Sequence, residues 1–249
     1  KNRNKHISWE GNEQKIKYTG ENYINKLKEI SNVNIHYIDT NLLPFKFKDA
    51  SEVIKSDYFR YFILNKYGGI WSDFDIIFTN NIEEYHKKYN NKKFICYAYQ
   101  ERNKSFKKFP VAFFIAHKNN SILNTILKYI NLFYNPRDYQ CLGERMIEIL
   151  MQNYEKNKGV LKKIINEINI NELIILHANC YLKIKWNELD ILFSKEEELT
   201  ETYENNNIFG IHWFNGADKA KEYQNNLNIQ DLRMRKPKCL IDKLVKNYI

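Results

Sequence analysis

Ser56-Asp57-Tyr58-Phe59-Arg60-Tyr61-Phe62-Ile63-Leu64-Asn65-Lys66-Tyr67-Gly68-Gly69-Ile70-Trp71-Ser72-Asp73-Phe74-Asp75-Ile76-Ile77-Phe78 reads as a helix, a glycine turn and a strand in one run. Asp57, Arg60 and Tyr61 stand at i, i+3 and i+4 and so share one helix edge, while Val53, Ile54, Tyr58, Phe62 and Leu64 are expected to face a core. The helix is expected to start at an Asp49 N-cap, with Glu52 three positions on as half of a capping box. It should stop near Asn65 or Lys66, where Gly68-Gly69 supply a left-handed cap. Beyond the glycines the chain alternates: Ile70, Ser72, Phe74, Ile76 and Phe78 point one way, and Trp71, Asp73, Asp75 and Ile77 the other. Two carboxylates on one strand face lie about 7 Å apart at the backbone and can converge on one divalent cation.

The flanks extend the pattern into an α/β chain. On the N-terminal side, His6-Ile7-Ser8-Trp9 reads as a short strand, residues 18–30 as a helix carrying Tyr23, Ile24, Leu27 and Ile30, and residues 33–38 as a second strand. Strand, helix, strand is the opening of a sheet whose ligands gather at the carboxyl ends of its strands, where Trp9 would sit. On the C-terminal side, 94–99 and 111–116 are apolar runs expected to be buried strands, separated by the basic loop 102–108. Helical spacing marks 121–133 and about 143–152, on either side of the turn 135–138. Short strands are expected at 173–177 and 208–214, the polar region 183–207 reads as loop, and 239–249 is amphipathic.

Composition bounds the function less sharply. The charge of +9, from 39 basic and 30 acidic residues, suits an anionic ligand, a nucleic acid or an anionic membrane. Only seven of the basic residues are arginines, so the excess lacks the planar forks that grip phosphates bidentately. Cys96, Cys141, Cys180 and Cys239 form no C-x-x-C pair and read as free thiols in a reducing compartment. No apolar run approaches the roughly 20 residues that span a bilayer, and no signal-peptide core follows Lys1. A cytoplasmic protein is expected, with peripheral membrane contact through 239–249 left open.

Paired aspartates inside apolar elements are costly unless a cation or hydrogen bonds compensate them. Magnesium and manganese are commonly held by one or two carboxylates because water and phosphate oxygens fill the other positions. The full spacing, from Ser56-Asp57 through Arg60-Tyr61, Leu64 and Gly68-Gly69-Ile70-Trp71 to Asp73 and Asp75, resembles sugar-nucleotide-dependent glycosyltransferases of family 32. That group includes initiating mannosyltransferases, capsular-polysaccharide transferases and, more distantly, the glucosylating domains of clostridial toxins.

The resemblance implies a GT-A fold, a Rossmann-like open mixed sheet flanked by helices on both faces. It implies one catalytic domain over residues 1–249, with 1–82 as the nucleotide-sugar half and 83–249 as the acceptor-side half with its C-terminal helical segment. Asp57, Arg60, Asp73 and Asp75 would be the catalytic set. Asp75 would bind Mn²⁺ or Mg²⁺ directly, Asp73 would contact ribose or metal, and Asp57 and Arg60 would hold the donor sugar. Ile7 and Trp9 would meet the nucleotide base. His212 matches the late histidine that joins the metal, with Gly216 and Lys219 as the diphosphate grip, although the His-to-Gly spacing is one residue longer than in related transferases. Asp138 and Gln140 are the acceptor-side candidates.

The implied reaction is retaining transfer of a hexose, UDP-linked by preference and GDP-mannose as the alternative, to a glycan or protein hydroxyl. Front-face attack assisted by the leaving group would need no enzymic nucleophile. Two rival readings remain open: a sugar-nucleotide-binding module without turnover, and a basic surface using Lys92-Lys93, Lys107-Lys108 and 233–238 on nucleic acid or membrane. No nucleic-acid partner is expected, because no recognition motif accompanies those lysines. Oligomeric state is not legible.

Overall fold

The computed structural model describes residue 19 and residues 24–100, 107–156, 164, 166–193 and 208–247. The expected first strand, with Ile7 and Trp9, lies outside the described residues, as do residues 194–207. Helix α1 (Ile24–Lys28) is short and has no buried residue. Residues 33–38, expected as a strand, join no ladder among the described residues, and Tyr37 is 77 % exposed. Alternation gives a strand only where a neighbour completes the hydrogen bonds.

Helix α2 (Glu52–Tyr67) starts at Ser51, not Asp49: Ser51 Oγ accepts from the Ile54 N–H at 3.3 Å, while Asp49 is left-handed at φ 57°. It ends as expected at Gly68, whose φ is 74° and whose N–H donates to the Leu64 carbonyl. A Cβ at Gly68 would lie 2.9 Å from the Lys118 nitrogen, so backbone freedom and close approach both require glycine. The helix faces differ from the expected ones. Val53 is 47 % exposed, and the Asp57, Arg60, Tyr61 edge is turned inward.

The continuous strand expected over 70–78 is broken at the two carboxylates. β1 (Gly69–Ser72) and β2 (Ile76–Phe78) flank a turn at Phe74-Asp75 and belong to different sheets. Phe74, at the turn, is 96 % exposed. Asp73 and Asp75 therefore leave the backbone at a bend and do not share one flat strand face.

After α3 (Ile82–His86), strands β3 (Phe94–Gln100), β4 (Lys107–Lys108), β5 (Phe113–Ala116) and β6 (Leu173–His177) complete the main sheet with β1. β5 lies between β1 and β3 and is antiparallel to both, with Gly69 and Phe94 both opposite Ala116. β6 runs parallel to β3, pairing Phe94 with Leu173, and β4 extends the far end of β3. The last strand, β7 (Gly210–His212), pairs with β2 in a separate antiparallel ribbon that sets Ile76 opposite His212.

Helices and turns cover both faces of this sheet. Phe94, Cys96 and Ala98 of β3 pack with α2, α4 (Ser121–Tyr129) and α5 (Glu144–Lys156), while Ile95 and Tyr97 pack on the other side with Ala178, Tyr181 and Phe209. A strand buried on both faces reads as an unbroken apolar run, which is how residues 94–99 read. The result is the open mixed sheet of a Rossmann-like GT-A fold.

A third cluster holds the C-terminal helices. Here α6 (Asp190–Phe193) replaces part of the expected 183–207 loop, and α7 (Asp218–Asn226), α8 (Ile229–Met234) and α9 (Leu240–Lys246) follow the ribbon. The apolar side of the amphipathic terminus, Leu240, Ile241 and Leu244, is buried against Ile211, Ala217 and Ala220.

Asp242 ties these helices together. It accepts from the Tyr223 hydroxyl at 2.7 Å, from Arg235 Nη1 at 2.5 Å and from the Lys238 N–H at 2.8 Å. Burial alone would raise its pKa, but these donors outweigh it and hold the carboxyl below the ordinary 3.8. Asp242→Ala, which strands Arg235 and Tyr223, should lower stability near neutrality by about 3 kcal/mol in urea unfolding. A depressed acid stabilises above its unfolded pKa and loses that contribution as pH falls through the folded value. The stability gap should therefore close below about pH 3.8.

Candidate active site

The first wall of the site is the inward edge of α2. Asp57 and Arg60 are only 3 % and 4 % exposed, and Arg60 Nη2 lies 3.1 Å from Asp57 Oδ1 and 3.5 Å from Asp73 Oδ1. Nη1 of Arg60 donates to the Val111 carbonyl, and its guanidinium lies 5.3 Å from the centroid of the Trp71 ring. Trp71 Nε1–H in turn donates to Asp73 Oδ1 at 2.8 Å, and the Asp73 N–H donates to the Ala112 carbonyl. One arginine thus bridges a helix carboxylate and a strand-end carboxylate, with the guanidinium fixed by backbone and ring.

The two partners of this bridge titrate differently. Burial pushes the Asp57 carboxyl up to about 7, with Arg60 opposing and Asp73 adding to the rise. Burial would lower Arg60, but Asp57 and Asp73 outweigh it and keep the guanidinium charged. Burial also raises Asp73, against the pull of Arg60 and the Trp71 hydrogen bond.

The second wall is the β2–β7 ribbon. His212 Nε2 donates to Asp75 Oδ1 at 3.0 Å, and the Asn215 N–H donates to Asp75 Oδ2 at 3.1 Å. The Trp213 N–H holds the Asp75 carbonyl at 2.9 Å, so side chain and main chain of Asp75 are both clamped by the segment following β7. Burial would raise the Asp75 carboxyl; His212 and the Asn215 amide outweigh it and hold the group below the usual 3.8. Phe214, in the same turn, is left-handed at φ 52° and lays its ring 4.0 Å from the imidazole centroid.

Asp75 and His212 are side chains of the kinds that can ligate a divalent cation, which commonly takes few protein ligands. The 3.0 Å between Asp75 Oδ1 and His212 Nε2 is that of their hydrogen bond, so a cation bound to both would take the place of the shared proton. Among the described residues no cluster of three or more His, Cys, Asp or Glu side chains forms a metal cage. A cation here would draw its other ligands from water or substrate.

Other expected residues fall elsewhere. Gly216 lies in the turn between β7 and α7, and the Lys219 ammonium pairs with Asp190. Asp138 Oδ1 accepts from the Gln140 N–H at 3.2 Å and its other oxygen pairs with Arg145, so both residues serve the loop before α5. That loop does reach the site, through Gly143. A Cβ there would fall 2.6 Å from Asp57 Oδ2, so the absence of a side chain makes room for the buried carboxylate.

Sequence reading did not select Gly143, Val111, Asn215 or Tyr181. Tyr181 is fully buried, close enough to Asp73 and Arg60 to feel their charges, and its hydroxyl has no hydrogen-bond partner among the described residues. Val111 and Asn215 contribute only backbone groups, which leave no side-chain signal. Gly143 contributes the absence of a side chain, which carries no charge or polarity pattern.

An open mixed α/β sheet with carboxylates at the carboxyl end of β1 defines the Rossmann-like class in which ligands bind at strand ends. Residues 13–192 match the family described as capsular polysaccharide synthesis protein, and the chain belongs to that family. The match indicates a capsule-related, glycosyltransferase-like family and not family 32 in particular. Among curated proteins and solved structures, none matches this chain. No helix among the described residues is long and apolar enough to cross a membrane.

Proposed function

We propose that this protein is a metal-dependent, retaining hexosyltransferase of capsular polysaccharide synthesis. It would use a UDP-sugar, with GDP-mannose as the alternative donor, and a hydroxyl acceptor on a glycan or protein. The observation that carries this reading is the meeting of the Asp57–Arg60–Asp73 bridge with the Asp75–His212 pair across a single bend of chain. Buried, preoriented charge of this kind acts where charge develops in a transition state.

Asp75 and His212 would hold the cation, which offsets negative charge on the departing diphosphate. Asp73, fixed by Trp71 and Arg60, faces the same bend and serves the donor's ribose or the metal's water shell. Arg60 donates to sugar hydroxyls from a position that Val111 and Trp71 leave little freedom to change. Asp57 accepts from a hydroxyl when ionised and donates when protonated, and its raised pKa makes both forms accessible near neutrality.

The deciding experiment is a Mn²⁺-supplemented hydrolysis and transfer screen over UDP- and GDP-sugars. Release of free hexose from one donor, abolished by a chelator, is the expected result. Failure of every donor to bind or turn over would refute the reading.

A further inference from the structure

The excess positive charge of the chain is widely spread, but between residues 233 and 246 it is concentrated. Arg233, Arg235, Lys236, Lys238, Lys243 and Lys246 stand there against a single carboxylate, Asp242. That carboxylate is buried and already taken by Tyr223, Arg235 and the Lys238 N–H, so it offers no counter-charge to the outward cations. Arg233, Lys236 and Lys238 are exposed, and among the described residues no carboxylate pairs with any of the three. Between Arg233 and Arg235 stands Met234, which is 89 % exposed. A flexible thioether left in water adds nothing to the core, but it adds apolar contact to a surface that the neighbouring cations attract.

The fold holds this stretch in place. α8 ends at Met234, and the Arg235 N–H donates back to the Asp231 carbonyl at 2.9 Å. Arg235 and the Lys238 N–H grip Asp242 from either side of Pro237, and the Lys246 ammonium donates to the Arg235 carbonyl at 2.7 Å. With Arg235 and the main chain tied inward, residues 233, 234, 236 and 238 are the side chains that the turn presents to solvent. The amphipathic terminus that follows cannot lie on a membrane by its apolar side, because Leu240, Ile241 and Leu244 are buried in the cluster that holds Ile211.

We propose that Arg233, Met234, Lys236 and Lys238 form a docking surface for an anionic phospholipid bilayer. The occupant is chosen by charge and by Met234. A layer of anionic headgroups complements a short cluster of cations, each of which raises affinity about fivefold near such a surface. The boundary between headgroups and acyl chains also accepts an apolar side chain. Single-stranded nucleic acid is gripped by cations together with stacking aromatics, and residues 233–238 contain no aromatic. Leu240 and Ile241 share their cluster with Ile211, the neighbour of His212, so a bilayer held at this surface engages the packed unit that carries one side of the site. The surface is independent of the donor reading.

Co-sedimentation of the full chain with vesicles tests the proposal. Vesicles of phosphatidylcholine and phosphatidylglycerol in equal parts should carry the protein down, vesicles of phosphatidylcholine alone should not, and high salt should release it. Arg233→Gln, Lys236→Gln and Lys238→Gln combined should weaken binding by about a hundredfold, the scale set by three surface cations. Met234→Ser alone should weaken it at least about threefold and leave the salt dependence as in the parent. A control variant combining Lys28→Gln, Lys66→Gln and Lys118→Gln removes the same charge from other exposed positions and should bind as the parent does. All of these side chains are exposed, and circular dichroism checks that each variant is folded. Absence of vesicle binding by the parent, parental affinity in either site variant, or equal losses in the two triple variants would overturn the proposal. So would displacement of the vesicles by a DNA or RNA oligonucleotide bound more tightly, since the cations would then serve a phosphate backbone.

Discussion

Asp75→Ala is expected to lower donor hydrolysis and sugar transfer by about a hundredfold or more, the scale on which loss of one preorganised charge-stabilising group acts. The carboxylate is held ionised by His212 and the Asn215 amide, so the variant loses a charge that is present throughout the neutral range. The fold should survive, because the ribbon ladder and the Trp213 bond to the residue-75 carbonyl are main-chain interactions. Circular dichroism and urea unfolding check the fold, and Mn²⁺ titration checks the site. A folded Asp75→Ala protein with parental turnover would remove the basis for metal-assisted departure of the diphosphate.

Arg60→Met should give the largest loss of stability of any single change in the site. It removes the cation between Asp57 and Asp73 and leaves a carboxyl that is 3 % exposed without its counter-charge, a loss of about 3–5 kcal/mol. The pH signature follows from Asp57. Its folded pKa, raised to about 7, lies above the ordinary 3.8, so the folded state binds the proton more tightly and stability falls as pH rises between the two values. Arg60 pulls that pKa down; without it the folded value rises further, and the decline continues to higher pH. The variant's deficit should thus be larger at pH 9 than at pH 6 in urea unfolding. Adding Asp57→Asn should recover much of it and flatten the dependence. A deficit independent of pH would mean that Asp57 is not the group left uncompensated.

The sequence made the elements around the site legible, but not their faces. Gly68 marked the end of α2 because only a left-handed cap ends the helix against Lys118, and residues 94–99 read as buried because β3 is covered on both sides. Asp57, Arg60 and Tyr61 read as one helix edge set apart from the core-facing residues, because helical periodicity gives a shared face and not its depth. Their burial depends on Asp73, the Val111 carbonyl and the Gly143 gap, which come from three other segments. The strand over 70–78 alternated cleanly, yet broke where each half found a different partner, β5 for one and β7 for the other. Periodicity reports side-chain direction and says nothing of which neighbour completes a ladder. His212 was singled out through the resemblance, and the fold sets its ring 3.0 Å from Asp75.

The bend at Phe74 has a mechanical meaning. Asp73 is anchored in the main sheet through Ala112, and Asp75 in the ribbon that leads into the C-terminal helices. A substrate or cation that engages both would act as a staple across two separately built parts of the chain. Part of its binding energy would then appear as added resistance of the ribbon and the helices behind it to unfolding. Loading the site and consolidating the C-terminal third of the molecule would be one thermodynamic event.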